Sequence, residues 1–265
     1  MEIVFISRGS IMNLKHLVLS FIVLLLAACS NEKTPVVTAL EIPALPDGAY
    51  LLKDVEVTES GEVTVLLRDQ IKIYTNNRFM FAFMNKEIGI DVGAGIATWD
   101  NGVMVEVPTV NHNGSVEGYS FDVAIEETDS GFVQTIMGMK YDDGRSLDMV
   151  ETWNTASIAT SPYDGLWNNV KDNVFTTKMI GGGHFISLQR TASIESQDNQ
   201  SSSDFWFGPI DINTAGQAIE TVMTSSLEGY AETQQSLQLV LIDQDHFSQT
   251  LTVNGVKVTE IYTRL

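Results

Sequence analysis

The chain has 265 residues, a formal net charge of −19 and one cysteine. That excludes an intrachain disulfide, and a surface this acidic repels nucleic acid and anionic lipid as partners. The length leaves room for one large or two ordinary domains.

In chain order the first feature is Lys15, followed by the almost unbroken apolar run Leu17 to Leu26 and then small residues. This is the pattern of an export signal, and Met12 offers a compact start for it. The run is about ten residues long, roughly half of what a bilayer-spanning helix requires. It ends in Leu26-Ala27-Ala28-Cys29, which resembles the lipobox of bacterial lipoproteins. The resemblance implies cleavage after residue 28, a diacylglyceryl group on the Cys29 thiol and an acylated new amino terminus. Two or three acyl chains, at about 0.8 kcal/mol per buried methylene, tether a protein to a membrane without spanning it. Ser30 stands where enterobacterial lipoproteins retained in the inner membrane carry aspartate, which implies sorting to the outer membrane. Residues 1–28 carry Glu2, Arg8 and Lys15, a net +1, so the 237 residues that follow stand at −20.

Residues 29–46 include SNEKTPVVTALEIPALP, with three of the six prolines. They read as an extended tether, reaching at most about 55 Å at ~3.3 Å per residue. Beyond it, β-branched and aromatic runs such as EVTVLL, IKIYT, RFMFAFM, FVQTIM and LQLVLI alternate with Ser-Gly, Asn-Gly and Asp-Gly turn dipeptides. No stretch keeps a helical period over three turns, so the expectation is all-β, mostly antiparallel.

The chain also matches itself. Asp47-Gly48-Ala49-Tyr50 returns as Asp164-Gly165-Leu166-Trp167, Ser115-Val116-Glu117-Gly118-Tyr119 as Ser226-Leu227-Glu228-Gly229-Tyr230, and Phe132-Val133-Gln134-Thr135-Ile136 as Phe247-Ser248-Gln249-Thr250-Leu251. Matches keep their order, as a tandem duplication requires. The division is a unit at 47–155, a linker at 156–163 and a second unit at 164–265, each long enough for its own core.

Thr176 to Gln189, TTKMIGGGHFISLQ, invites reading as a phosphate loop. It lacks the GK[ST] ending, an apolar strand follows instead of a helix, and the first unit has Asn76-Asn77 at the corresponding place. It is read as a hairpin turn. His184 matches Arg78, which removes a shared catalytic histidine, and His112 and His246 are isolated. Asp142-Asp143-Gly144 and Asp243-Gln244-Asp245 sit at turns and lack the ligand spacing of a calcium loop. No metal or cofactor is expected, and no catalytic constellation is recognisable. Glu106 and Glu220, Glu117 and Glu228, and Glu151 and Glu260 recur between units, either as solvent-facing strand residues or as polar groups of a pocket.

The Gly165-Leu166-Trp167 opening resembles the Gly-x-Trp opening of lipocalins. Both units resemble the lipocalin-like domains of secreted bacterial proteins, with a strand of the form F/Y-T-x-x-H/R-F and a closing G-x-x-V-x-E-x-W/Y. The resemblance implies two tandem antiparallel β-barrels. It also implies a barrel floor made by Trp167 under a basic residue, for which Arg264 is the candidate, and a small apolar ligand inside. The first unit departs from it, with Tyr50 in place of the tryptophan.

In Arg78-Phe79-Met80-Phe81-Ala82-Phe83-Met84, alternation puts Phe79, Phe81 and Phe83 on one face and Met80, Ala82 and Met84 on the other. One apolar face belongs inside a barrel and the other needs cover, which the second unit can supply. Candidate ligand-binding residues are therefore Phe79, Phe81, Phe83, Met80, Met84, Trp167, His184 and Phe185. An ordinary filled core is the alternative reading of the same residues. Three functions follow as expectations: a lipid-anchored envelope protein binding a small hydrophobic or amphipathic molecule, a solid module docking an envelope protein, or a hydrolase or isomerase acting from a barrel mouth.

Overall fold

The computed structural model describes residues 45, 47–85, 89–100, 102–140, 144–191 and 202–265. The signal, Cys29, nearly all of the tether, and Asp142 and Asp143 lie outside the described residues. Among the described residues every regular element is a β-strand.

The first ten strands are β1 (Gly48–Glu59), β2 (Glu62–Leu66), β3 (Gln70–Thr75), β4 (Arg78–Asn85), β5 (Gly89–Asp100), β6 (Val103–Asn111), β7 (Gly114–Ser115), β8 (Phe121–Thr128), β9 (Gly131–Lys140) and β10 (Ser146–Ser157). Eight of them pair antiparallel around a ring, β1-β3-β4-β5-β6-β8-β9-β10, which β10 closes by pairing back onto β1. β2 folds back on the far half of β1 as a hairpin outside the ring, and β7 is a short piece beside β6.

The second set is β11 (Gly165–Lys171), β12 (Val174–Gly181), β13 (His184–Thr191), β14 (Ser202–Ile212), β15 (Gln217–Thr221), β16 (Thr224–Ser225), β17 (Gln234–Leu241), β18 (His246–Val253) and β19 (Val256–Arg264). The ring here is β11-β12-β13-β14-β15-β17-β18-β19. The molecule is thus two closed eight-stranded antiparallel barrels in tandem, built in the same strand order, as the internal repeat predicts.

Closure leaves each strand with one face inside its barrel and one outside, and both are apolar where the barrels meet. Inside the first barrel lie Tyr50, Tyr74, Phe79, Val123, Phe132 and Trp153. Trp167, Ile180, Phe185, Leu239 and Phe247 fill the inner end of the second. A third cluster is made of outward faces from both: Ile71, Ile73, Met80, Ala82, Val92 and Ala94 against Leu166, Met179, Ile186, Leu188, Phe205 and Phe207. Met80 and Ala82 are therefore buried in the seam between the barrels, while Phe79 and Phe83 are buried on the other side of the same strand. A fully buried apolar side chain of this size stabilises by about 1.5–3 kcal/mol, so this apolar seam couples the two barrels.

The turns complete the seam. Asn76 and Asn77 have φ of 52° and 58°, and Gly182 and Gly183 have 58° and 61°. Positive φ at both central residues is the requirement of a tight hairpin turn, which the asparagines and glycines meet equally. GGGH is a turn, with a second constraint on Gly182: a Cβ there would lie 2.2 Å from the Ala49 backbone nitrogen. In return, the Asn76 side chain donates to the Asp164 carbonyl at 3.1 Å and the Arg78 Nε to the Leu265 carbonyl at 3.0 Å. Each barrel's turn grips the other barrel's end.

Candidate functional site

Both barrel interiors carry a lysine at the same place. Lys72 on β3 and Lys178 on β12 occupy matching positions of the repeat, and each is almost completely buried, at 3% and 2% exposure. A buried ammonium must be paired and hydrogen-bonded. Lys72 Nζ donates to Glu106 Oε1 at 2.9 Å and to Gln134 Oε1 at 2.9 Å. Lys178 Nζ donates to Glu220 and, at 2.7 Å, to Gln249 Oε1. Glu106 and Glu220 are thus repeat equivalents facing inward, and so are Gln134 and Gln249 from the recurrent Phe-x-Gln-Thr motif. A further pair, Glu151 and Glu260, joins each cluster from the closing strand.

The first barrel completes its cluster with its own side chains. The Trp153 Nε1 donates to Glu151 Oε2 at 3.2 Å, and the Tyr74 hydroxyl donates to Glu106. Arg68 folds in from the connection before β3: its Nη2 reaches Glu151 Oε1 at 3.4 Å, its Nε donates to Gln70 Oε1 at 2.6 Å, and its guanidinium lies 3.8 Å from the Phe83 ring centroid. Two cations face two carboxylates. Burial still holds the Glu151 carboxyl above the usual carboxylate range, with Lys72 and Arg68 opposing that shift. Phe81 and Phe83 stack with centroids 6.3 Å apart, and Phe81 lies against Gly93, where a Cβ would be 2.7 Å from its ring.

At corresponding positions the second barrel inverts these sizes. Ser187 replaces Phe81, Gln189 replaces Phe83, and Trp206, the strand partner of Ser187, replaces Gly93. The exchange leaves a cavity of about 170 Å³, lined by Thr176, Lys178, Ser187, Gln189, Trp206, Glu220, Tyr230, Gln235, Leu237, Gln249, Leu251, Glu260 and Tyr262. Strand alternation arranges the walls in tiers. Trp167, Ile180, Phe185 and Phe247 close the inner end. Lys178, Ser187, Glu220, Gln249 and Tyr262 form the middle. Gln189, Trp206, Tyr230, Gln235, Leu251 and Glu260 form the outer tier, and these six are half-buried, so the cavity reaches solvent.

Trp206 and Tyr230 meet edge to face with centroids 5.8 Å apart. Glu260 Oε2 accepts from the Tyr262 hydroxyl at 3.0 Å and from Gln249 Nε2 at 3.3 Å. Burial, then the neighbouring Glu260 charge, pushes the Tyr262 phenol well up, so it remains a neutral donor. A second hollow, about 290 Å³, lies by the β1–β2 hairpin and is bounded by Val57, Glu59, Ser60, Glu62 and Thr64.

The eight residues singled out in the sequence as ligand candidates do not line the cavity. Phe79, Phe81 and Phe83 pack inside the first barrel, Met80 is in the seam, and Met84 is 42% exposed. Trp167 and Phe185 belong to the closed inner end of the second barrel. There the Arg264 guanidinium lies 4.0 Å from the Trp167 ring centroid and donates to the Asp164 carbonyl at 2.8 Å. A Cβ on Gly165 would lie 2.3 Å from that guanidinium, which is why glycine precedes this tryptophan by two. His184 sits at the hairpin end with Nδ1 2.8 Å from the Gly182 carbonyl oxygen, away from the cavity. Burial lowers its pKa.

The lysines escaped the sequence reading because a strand lysine usually points to solvent. The available signal was their position: each stands between residues that alternation assigns to the seam, Ile71 and Ile73 for Lys72, Thr177 and Met179 for Lys178. Among the described residues, no group of three or more His, Cys, Asp or Glu side chains is placed to hold a metal ion.

No family model matches the chain, and no curated protein matches it. Among solved structures, it is similar to an uncharacterized protein, YLR301w, from Saccharomyces cerevisiae. The similarity covers 82% of this chain and 98% of that one at 11% identity, with a TM-score of 0.50. At that identity the likeness is one of fold. A protein of unknown function from the DUF3598 family of Nostoc punctiforme aligns over 83% of this chain and 96% of its own at 8% identity, with a TM-score of 0.24.

Proposed function

We propose that this chain is a non-enzymatic binding protein in which the second barrel takes a small polar or amphipathic molecule at its mouth and the first barrel serves as a solid partner. The observation that carries the reading is the 170 Å³ cavity, whose walls include a buried lysine–glutamate pair, three aromatic rings and four glutamine or serine side chains. Binding sites combine enclosing apolar surface with a few fixed polar groups, and here the polar groups are held by strands rather than loops. At ~30 Å³ for each water-sized group, the cavity takes about six such groups. That favours a small molecule, or one end of a longer one, over a fatty acid swallowed whole. The lipocalin-like resemblance accords with ligand entry at a barrel mouth. The lipobox at Cys29 adds that the site is carried on a lipid anchor at the outer membrane of a bacterial envelope.

The test is to purify the full-length chain from its native envelope, denature it and identify released small molecules by mass spectrometry, beside the Ser187→Phe variant. That substitution gives the second barrel the phenylalanine of the first and fills the cavity. A molecule recovered in stoichiometric amount from the parent and lost from folded Ser187→Phe is the expected result. Equal recovery from both would remove the cavity from the account.

A further inference from the structure

The first barrel supplies a template for what the second barrel binds. Its cluster holds Lys72 and Arg68 against Glu106 and Glu151, with Asp91 also close enough to Arg68 to feel its charge. The second holds Lys178 against Glu220 and Glu260, one negative charge in excess. Lys178 is committed to Glu220 and Gln249, so it does not neutralise Glu260. The residue at the position of Arg68 is Val174, and among the described residues no lysine or arginine pairs with Glu260.

Among the groups around the Arg68 guanidinium in the first barrel are Gln70, Phe83 and Glu151. Their counterparts, Thr176, Gln189 and Glu260, all line the cavity. Where Phe83 presents a ring to the guanidinium, the cavity presents Trp206, Tyr230 and Tyr262 instead. Aromatic faces beside a carboxylate attract cations through the ring quadrupole and the charge together. A net charge of −19 adds a long-range field that concentrates cations and repels anions.

Resting on the binding reading above, we infer that the second barrel takes a small organic cation, a guanidinium or alkylammonium group, into the place that Arg68 fills from within in the first. Its charge meets Glu260, its apolar part meets Trp206 and Tyr230, and the Gln189 and Gln235 side chains offer amide carbonyls to its N–H groups. A longer ligand presents only its cationic end.

The test is calorimetric titration of the full chain at low ionic strength with methylguanidinium and tetramethylammonium, against acetate and inorganic phosphate, with tryptophan fluorescence as a second readout because Trp206 lines the cavity. The expected result is one methylguanidinium per chain and no anion binding. Glu260→Gln, which keeps shape and hydrogen bonding, weakens binding at least tenfold. Arg68→Ala vacates the matching place in the first barrel and raises the stoichiometry to two, and Arg68→Gln does the same if the smaller side chain disturbs folding. Anion binding, undiminished affinity in Glu260→Gln, or a stoichiometry of one in both folded Arg68 variants would each overturn the inference. A neutral or anionic molecule recovered from the cavity by mass spectrometry, and lost from Ser187→Phe, would overturn the cation while leaving the second barrel as the binding member.

Discussion

Replacing Lys178 with methionine tests whether the buried polar cluster is held by charge. The two partners, Lys178 and Glu220, are 2% and 4% exposed at their side chains. Methionine retains most of the volume of the lysine stem, so little packing is lost. What is lost is the one cation paired with Glu220 among the described residues, and stranding one member of a buried pair costs about 3–5 kcal/mol. The cavity lets water reach the carboxylate, which places the expected cost near 3 kcal/mol.

With a urea m-value of about 3 kcal/mol/M for a protein of this size, the unfolding midpoint falls by about 1 M. Removing both charges, as Lys178→Met with Glu220→Met, recovers most of the loss, because an apolar pair of similar volume often replaces a buried ion pair without cost. Since Glu220→Met alone also strands a buried charge, the coupling energy from the double-mutant cycle is then at least about 2 kcal/mol. Urea titrations followed by fluorescence measure all four proteins. A single-variant loss under about 1 kcal/mol, or a double variant less stable than Lys178→Met, refutes the claim that charge pairing holds the cluster.

Three further outcomes follow from the same geometry. Phe207→Ala, in the seam, costs about 3–5 kcal/mol by cavity formation and lowers the melting temperature of both barrels together; separate transitions for the two halves in calorimetry would show that the seam does not couple them. Burial holds His184 below its ordinary value of 6.5, so between that lowered value and pH 6.5 the unfolded chain binds more protons than the folded one. Stability therefore rises with pH through this window and falls on acidification. In His184→Asn the pH dependence is shallower, and parallel urea midpoints for parent and variant at pH 7 and 5.5 would refute the assignment. Cys29→Ser, which removes the thiol that the proposed lipid anchor requires, releases the protein from membranes into the soluble fraction on cell fractionation; a variant that stays membrane-bound would refute the anchor.

Much of the fold was legible because strands declare themselves twice over, by alternation and by turn dipeptides. The two apolar faces of Arg78–Met84 demanded one interior and one covering surface, and both exist. The site was less legible because it depends on subtraction. Nothing in Ser187 or Gln189 suggests a wall of a cavity until they are set against Phe81 and Phe83, and strand pairing puts Trp206 opposite Ser187 where Gly93 stands opposite Phe81. The clusters of Phe and Met drew the ligand reading towards the first barrel, yet large apolar side chains at inward positions fill a barrel rather than open it. Glu106, Glu220, Glu151 and Glu260 were visible as recurrent carboxylates. Their inward placement was not, because inward orientation of a charged residue is set by the partner it finds, and Lys72 and Lys178 lie far from them in sequence.

The duplicated barrels differ in a way that packing alone does not require. A bulky side chain sits on β4 opposite glycine in one, and on β14 opposite serine in the other, so either arrangement satisfies the strand pair locally. What separates them is the tier above. Phe83 and Arg68 cap the first barrel with a cation and a ring drawn from its own chain, whereas Gln189 and Val174 leave the second uncapped with Glu260 still in place. A carboxylate facing an open polar cavity gains nothing for stability over the capped version, since an internal arginine neutralises it without the entropy loss of capturing a ligand. The uncapped form has a physical rationale when something from outside completes the cluster, and in the first barrel the group at that place is a cation, Arg68.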